Sequence, residues 1–118
     1  NCGHNPIALY SSDQFEWLEK GTTILGAFES LPFIEVGKLY IKSDMKLLLY
    51  TDGILNLKNN QNQALSLYDL RDLLQRELIS KSPEEIIAYF DQKIIQINVE
   101  DSLKDDVSLL AIDIKEPI

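Results

Sequence analysis

The stretch LLLYTDG at residues 47–53 decides how the rest of the sequence is interpreted. Its continuous apolar run is typical of a strand buried inside a sheet. The run stops at Asp52, which we expect at the carboxyl end of that strand, and Gly53 permits a sharp turn or a close approach of another group. A carboxylate on a rigid strand end suits a metal ligand or an acid/base. Asp-Gly after a strand is also a common turn, so both interpretations stay open at this point.

The composition is that of one globular domain. The 118 residues are 45% hydrophobic and 25% charged, which is ordinary and allows a sizeable core. The net charge of −8, without a basic run, argues against nucleic acid and anionic membranes as partners. Cys2 is the single cysteine, so an internal disulfide and a thiolate zinc cluster are excluded, and a reducing cytoplasm fits. The apolar runs are too short to span a bilayer. Because no initiator Met is present, we expect a piece of a longer protein.

Short strands are predicted on both sides of the central one. The predicted strands are residues 7–11, 14–19, 33–41, 45–51 and 107–114. The first two form a β-hairpin with one face buried. The third carries a turn or bulge near Gly37 and joins the central strand through a hairpin turn at residues 42–44.

The first of two predicted helices follows a polar loop at residues 57–64. It covers residues 67–79, with Ser66 as the N-cap and Asp69 three residues later. Its leucines recur at helical spacing, which favours packing against a sheet over a groove for a partner.

The second predicted helix has the stronger start signal. It covers residues 83–97, preceded by Ser82 as N-cap and followed within the first turn by Glu85, which completes a capping box. An acidic loop at residues 98–106 leads to the last strand. The order of strands, two helices and one strand predicts an α+β domain with a largely antiparallel sheet.

Acidic residues far apart in the sequence are expected to meet at one edge of this sheet. Asp52 ends the central strand, and Asp105 and Asp106 precede the last one. If these strands are antiparallel neighbours, the end of one lies beside the start of the other. Carboxylates are the ligands that Mg²⁺ prefers, and a cation would relieve the repulsion between them. A solvated acidic turn at residues 105 and 106 is the alternative.

Four segments carry a family resemblance. They are NCGHNP at residues 1–6, LG at 25–26, LLLYTDG at 47–53 and DDVSLL at 105–110. Together, and in this order, they resemble the metal-dependent protein phosphatase (PPM) superfamily, most closely its bacterial SpoIIE/RsbU-like serine phosphatases. The resemblance implies a sandwich of two antiparallel β-sheets flanked by helices, of which this chain is about the C-terminal half.

The resemblance also implies an activity and a site. The activity is hydrolysis of phosphoserine or phosphothreonine on a regulatory protein of the anti-anti-sigma type, with two Mn²⁺ or Mg²⁺ ions that activate water for in-line attack. Asp52 and Asp105 are the implied metal ligands and catalytic residues. The resemblance also implies supporting roles beside these ligands for Gly53, Asp106 and His4. For His4, stabilisation of a turn is the alternative role.

Departures from the family pattern keep a second function in view. Asn56 stands where the branch usually has an acidic residue, and residues 63–66 read QALS where it tends to have a Gly-rich Phe-Gly segment. The Asp and the Gly-His-Gly-type segment of the family's N-terminal half are missing, so we expect the isolated chain to lack part of the metal site and to be inactive. The alternative is a catalytically degenerate interaction or output module. The oligomeric state stays open, including a dimer through faces that the missing half would cover.

Overall fold

The computed structural model describes residues 1–100 and 105–115, with the side chains of residues 1–97 and 105–115. The strands are β1 (Ile7–Tyr10), β2 (Phe15–Leu18), β3 (Met45–Tyr50) and β4 (Leu109–Ile114). The helices are α1 (Leu67–Arg76) and α2 (Pro83–Glu100), and a 3₁₀ helix (Asp52–Asn56) follows β3 after Thr51. This element order confirms the predicted α+β class.

The strands form one antiparallel sheet in the order β2-β1-β3-β4. In the middle of the sheet, Leu48 on β3 lies opposite Ala8 on β1 and Ala111 on β4. The β3–β4 register also places Lys46 opposite Asp113, and the two side chains form an ion pair. The predicted hairpin is confirmed, and the central and last strands are antiparallel neighbours, as the expected meeting of Asp52 and Asp105 requires.

Both helices cover the same face of the sheet. The buried cluster, with every member at most 2% exposed, joins Ala8, Tyr10, Leu48 and Tyr50 of the sheet to Leu70, Leu74, Leu78, Ile86 and Phe90 of the helical layer. Burying one such leucine or phenylalanine side chain contributes about 1.5–3 kcal/mol. The helical stripes are therefore core, as predicted, and this burial holds the helices in place more than their intrinsic propensity does.

Both helix starts carry a capping box, which was predicted at Ser82 and extends the N-cap predicted at Ser66. Asp69 N donates to Ser66 Oγ over 3.1 Å, and Ser66 N donates to Asp69 Oδ2 over 2.9 Å. Ser82 N donates to Glu85 Oε2 over 2.8 Å, and Glu85 N donates to Ser82 Oγ over 3.2 Å. Each box satisfies backbone N–H groups that a helix leaves unpaired in its first turn.

The helix ends differ from the prediction. α1 ends at Arg76 instead of residue 79, because Leu78 N donates to Leu73 O over 3.2 Å and turns the chain so that Leu78 enters the core. α2 continues to Glu100, since no Gly or Pro at residues 98–100 ends it. The predicted acidic loop thus begins as helix, and its residues 101–104 lie outside the described residues. None of the described helices is long and apolar enough to cross a membrane.

The predicted strand at residues 33–41 is wrong. No residue in this segment is in a strand. A strand needs a hydrogen-bonded neighbour, and the sheet described here offers none along this segment; its start is held by Glu35 N donating to Gly21 O over 2.7 Å. The predicted hairpin turn at residues 42–44 is consequently a plain turn into β3, in which Asp44 adopts a φ of 64°.

Residues 24–41 expose many large apolar side chains. They are Ile24, Leu25, Phe28, Leu31, Phe33, Ile34, Val36, Leu39, Tyr40 and Ile41. Leu110 and Ile112 are also exposed, on the sheet face away from the helices, because neighbouring residues on a strand point to opposite faces. Apolar surface of this extent is typical of a contact surface.

Candidate metal centre

The end of β3 and the segment before β4 are joined by Thr51. Thr51 N donates to Ser108 O over 3.1 Å. The Thr51 hydroxyl donates to Asp106 O over 3.1 Å and accepts from Ser108 N over 2.9 Å. These bonds continue the antiparallel pairing past the Tyr50–Leu109 pair. The residues that precede β4 therefore lie beside the residues that follow β3, as the sequence predicted.

Gly53 allows these two segments to touch. A Cβ atom at Gly53 would lie 2.5 Å from Asp106 O and 2.7 Å from Val107 Cγ2, which is closer than real atoms approach. Gly53 is itself buried, in the 3₁₀ helix (Asp52–Asn56). The Asp-Gly pair is therefore the start of a short helix and not a simple turn, and glycine is needed for close backbone contact.

Each of the two candidate ligands accepts a hydrogen bond from an asparagine side chain. Asn5 Nδ2 donates to Asp52 Oδ1 over 2.6 Å, and Asn56 Nδ2 donates to Asp105 Oδ2 over 3.1 Å. Both carboxylates are exposed to solvent. Asp52 lies two residues after Tyr50 in the sequence. The pKa of the Tyr50 phenol is raised to about 12, first by burial and then by the Asp52 charge.

Asp106 takes part through its main chain. Its carbonyl oxygen accepts the Thr51 hydroxyl and faces Gly53, while its side chain is exposed. These contacts fix the backbone of Asp106 next to Asp105, and a supporting role of Asp106 at a metal site stays a prediction.

His4 takes part in the N-terminal turn. Its N donates to Asn1 Oδ1 over 2.9 Å, and its O accepts from Asn1 Nδ2 over 3.1 Å. Its ring Nδ1 lies 3.1 Å from Asn5 O. Gly3, with a φ of 85°, supplies the left-handed backbone that this turn requires. His4 therefore takes part in the turn, and its role around the metal ligands stays a prediction.

The donor chemistry of this edge suits Mg²⁺ or Mn²⁺, because Asp52 and Asp105 offer exposed carboxylate oxygens on two segments joined by the Thr51 hydroxyl. Among the side chains of residues 1–97 and 105–115, however, no group of three or more His, Cys, Asp and Glu could hold a metal ion. The two carboxylates fit part of a ligand set and do not complete one.

The sequence did not reveal every residue that matters here. Asn5 was part of the NCGHNP segment, and that motif was the available signal for it. Thr51 bonds to residues 55 and 57 positions away, so its role depends on strand register, which no local pattern encodes. In the sequence, Asn56 is recognisable only as a departure from the family pattern, and no local pattern predicts its contact with Asp105.

The family model for Stage II sporulation protein E (SpoIIE) matches residues 1–115. The comparison with curated proteins gave no match. Among solved structures, the chain is similar to the phosphatase domain of the cell fate determinant SpoIIE from Bacillus subtilis (Mn presoaked), with 19% identity and a TM-score of 0.62. That match covers 98% of this chain and 49% of the other, so the chain spans about half the length of that domain.

Two further structures give the same result. The RsbU and RsbW domains of Rv1364c from Mycobacterium tuberculosis show 21% identity and a TM-score of 0.62, with 100% of this chain and 32% of that chain covered. The SiaA-PP2C domain of Pseudomonas aeruginosa shows 22% identity and a TM-score of 0.61, with 94% and 44% covered. The antiparallel sheet with its two helices thus matches the PPM phosphatase fold. Since the family model extends over nearly the whole sequence, this chain belongs to the SpoIIE family.

Proposed function

We propose that this chain is the C-terminal half of a metal-dependent phosphatase domain that dephosphorylates serine or threonine on a regulatory protein. The observation that carries the proposal is the pair of hydrogen bonds made by the Thr51 hydroxyl, which hold the segments of Asp52 and Asp105 at one edge of the sheet. Membership of the SpoIIE family and the PPM phosphatase fold support it.

The residues of this edge have distinct parts in the proposed reaction. Asp52 and Asp105 hold Mn²⁺ or Mg²⁺ through their exposed carboxylate oxygens. Such ions, when bound, supply activation of the attacking water and stabilisation of charge on the phosphoryl group. Thr51 and Gly53 keep the two carboxylate-bearing segments together, so that the ligands are positioned before a cation arrives.

We further propose that the remaining ligands belong to the half of the domain that this chain does not span. The supporting facts are the 49% coverage of the SpoIIE domain and the exposed apolar surface of residues 24–41, which we assign to contact with that half. The isolated 118 residues should then bind Mn²⁺ weakly, show no phosphatase activity and self-associate on gel filtration. A strong Mn²⁺-dependent rate from these residues alone would refute the assignment.

The direct test measures phosphatase activity of the full-length protein on phosphoserine and phosphothreonine proteins. Asp52→Asn and Asp105→Asn should each lower kcat at least about 100-fold, because loss of a ligand does more than loss of a supporting contact. Asp91→Asn, which removes an exposed carboxylate on α2, is the matched control and should leave kcat unchanged. Undiminished activity in either ligand variant would remove that residue from the site.

The substrate we propose is a phosphorylated regulator of the anti-anti-sigma type, in the cytoplasm. The support is the resemblance to the SpoIIE/RsbU-like branch, together with family membership. Phosphate release from a panel of phosphorylated regulators tests this separately from catalysis: activity on generic phosphopeptides without preference for such a regulator would reject the substrate and keep the enzyme.

The Asn56–Asp105 hydrogen bond favours a second candidate function, an interaction or output module without catalysis. A neutral amide donates to the Asp105 carboxylate from the position where the resemblance leads one to expect a second acidic side chain. A calorimetric Mn²⁺ titration of the full-length protein separates the two candidates. Saturable binding that Asp105→Asn weakens supports the phosphatase, whereas no binding at millimolar Mn²⁺ supports the module.

A further inference from the structure

The N-terminal turn presents one side chain to the candidate metal centre. Asn5 Nδ2 donates to Asp52 Oδ1 over 2.6 Å, between residues 47 positions apart. A hydrogen bond to a carboxylate oxygen is charge-assisted and stronger than one between neutral groups. The bond occupies Oδ1, and no hydrogen bond within the described part of the chain engages Oδ2.

Contacts on both sides hold Asn5 in this orientation. The Asn1 side chain forms hydrogen bonds with both the backbone N and the backbone O of His4. The ring Nδ1 of His4 lies 3.1 Å from Asn5 O. Pro6 follows, which restricts the Asn5 backbone to extended conformations. Asn1 is anchored in turn, since its O accepts from Thr22 N over 2.8 Å. The Asn5 amide is therefore oriented by its own turn before it meets Asp52.

An amide is well suited to holding a carboxylate that must still bind a cation. It donates a hydrogen bond to one oxygen without a positive charge that would compete with the ion and without a negative charge that would repel Asp52. Asn56 makes the corresponding bond to Asp105. Each candidate ligand thus has one neutral donor, supplied by a different segment of the chain.

We propose that Asn5 is a positioning residue for Asp52, whose amide fixes Oδ1 and thereby directs Oδ2 to a divalent cation. The proposal rests on the proposed function, because it applies only if Asp52 binds a cation. Within the NCGHNP segment, Asn5 is then the residue that acts at the metal centre, and His4 stabilises the turn.

The test measures Mn²⁺ affinity by calorimetry on the full-length protein, with no use of activity. Asn5→Leu keeps the size of the side chain and removes the donor, and it should weaken Mn²⁺ binding about tenfold. Asn5→Gln keeps an amide and should recover most of that loss. Asn60→Leu, at an exposed position in the 57–64 loop, is the matched control and should bind as the unmodified protein does. Asn5→Ala is a second donor-free variant in case Asn5→Leu does not fold.

Melting curves in EDTA separate positioning from a general loss of structure. If Asn5 only stabilised the fold, Asn5→Leu would melt well below Asn60→Leu without metal and bind Mn²⁺ normally once folded, and that result overturns the proposal. Asp52→Asn identifies the source of a failure. If it weakens Mn²⁺ binding and Asn5→Leu does not, the role of Asn5 is wrong and the proposed function stands. If Asp52→Asn has no effect, the ligand assignment is wrong and the role of Asn5 is rejected with it.

Discussion

Asn56 donates a hydrogen bond of 3.1 Å from Nδ2 to Oδ2 of Asp105, although 49 positions separate the two residues. Asn56 stands where the resemblance leads one to expect an acidic side chain. A glutamate there would face the Asp105 carboxylate, and the pair would need a cation or a proton to relieve its repulsion. The amide removes that need, so the departure from the family pattern is compensated within the site.

The first prediction concerns this contact. Asn56→Glu should destabilise the full-length protein in EDTA by about 1 kcal/mol, because a hydrogen bond is replaced by a repulsive pair of carboxylates. Excess Mn²⁺ should recover the loss. Melting temperatures with EDTA and with Mn²⁺ provide the measurement, and Asn60→Glu, which adds the same charge at an exposed position, is the control. Equal shifts for the two variants would contradict the prediction.

The second prediction concerns the close contact at Gly53. Gly53→Ala places a methyl group 2.5 Å from Asp106 O and should cost about 1–3 kcal/mol in the free energy of unfolding, because backbone on both sides must move. Gly37→Ala is the control, since its Cβ would meet only the Lys20 side chain at 3.5 Å or more. Urea unfolding measures both. If both variants lose a similar free energy of unfolding, Gly53 and the Asp106 carbonyl oxygen are not in close contact in solution.

The third prediction concerns the hydroxyl that joins the two segments. Thr51→Val keeps the shape of the side chain and removes its bonds to Asp106 O and Ser108 N, so it should cost about 1 kcal/mol and accelerate hydrogen exchange at the Ser108 amide. Thr51→Ser retains the hydroxyl and should keep the slow exchange. The prediction fails if the Ser108 amide exchanges equally in both variants.

The fourth prediction concerns pH. The pKa of Asp69 is lowered from its ordinary value of 3.8, chiefly by the hydrogen bond from the Ser66 backbone and next by the Ser66 side chain. A carboxyl whose pKa is depressed on folding contributes stability that is present above its unfolded pKa and is lost as pH falls through the folded value. Asp69→Asn should therefore destabilise the protein at neutral pH, and the difference from the unmodified protein should shrink below pH 3.8.

The measurement for Asp69 is the urea midpoint as a function of pH. Asp91→Asn removes an exposed carboxylate outside any cap and controls for the change in net charge. A difference between Asp69→Asn and the unmodified protein that stays constant from neutral to strongly acidic pH would show that the cap does not depend on the ionised carboxyl.

Local patterns sufficed for much of the fold. The caps at Ser66 and Ser82 were predictable because a capping box involves residues only three positions apart. The β1–β2 hairpin and the core faces of both helices followed from periodicity, which is also local. Even the meeting of the Asp52 and Asp105 segments followed once two strands were assumed to be antiparallel neighbours.

The tertiary structure decided what depends on distant partners. Residues 33–41 have the pattern of a strand, but a strand forms only beside another strand, and the described sheet has none next to them. The need for glycine at residue 53 arises from the Asp106 backbone, and the Asn5 amide meets Asp52 only through the arrangement of the N-terminal turn against the sheet. The sequence by itself therefore determined most of the strands and helices and the acidic residues of the candidate site. Only the fold determined which side chains hold those acids in place, because such contacts join segments that are about 50 positions apart.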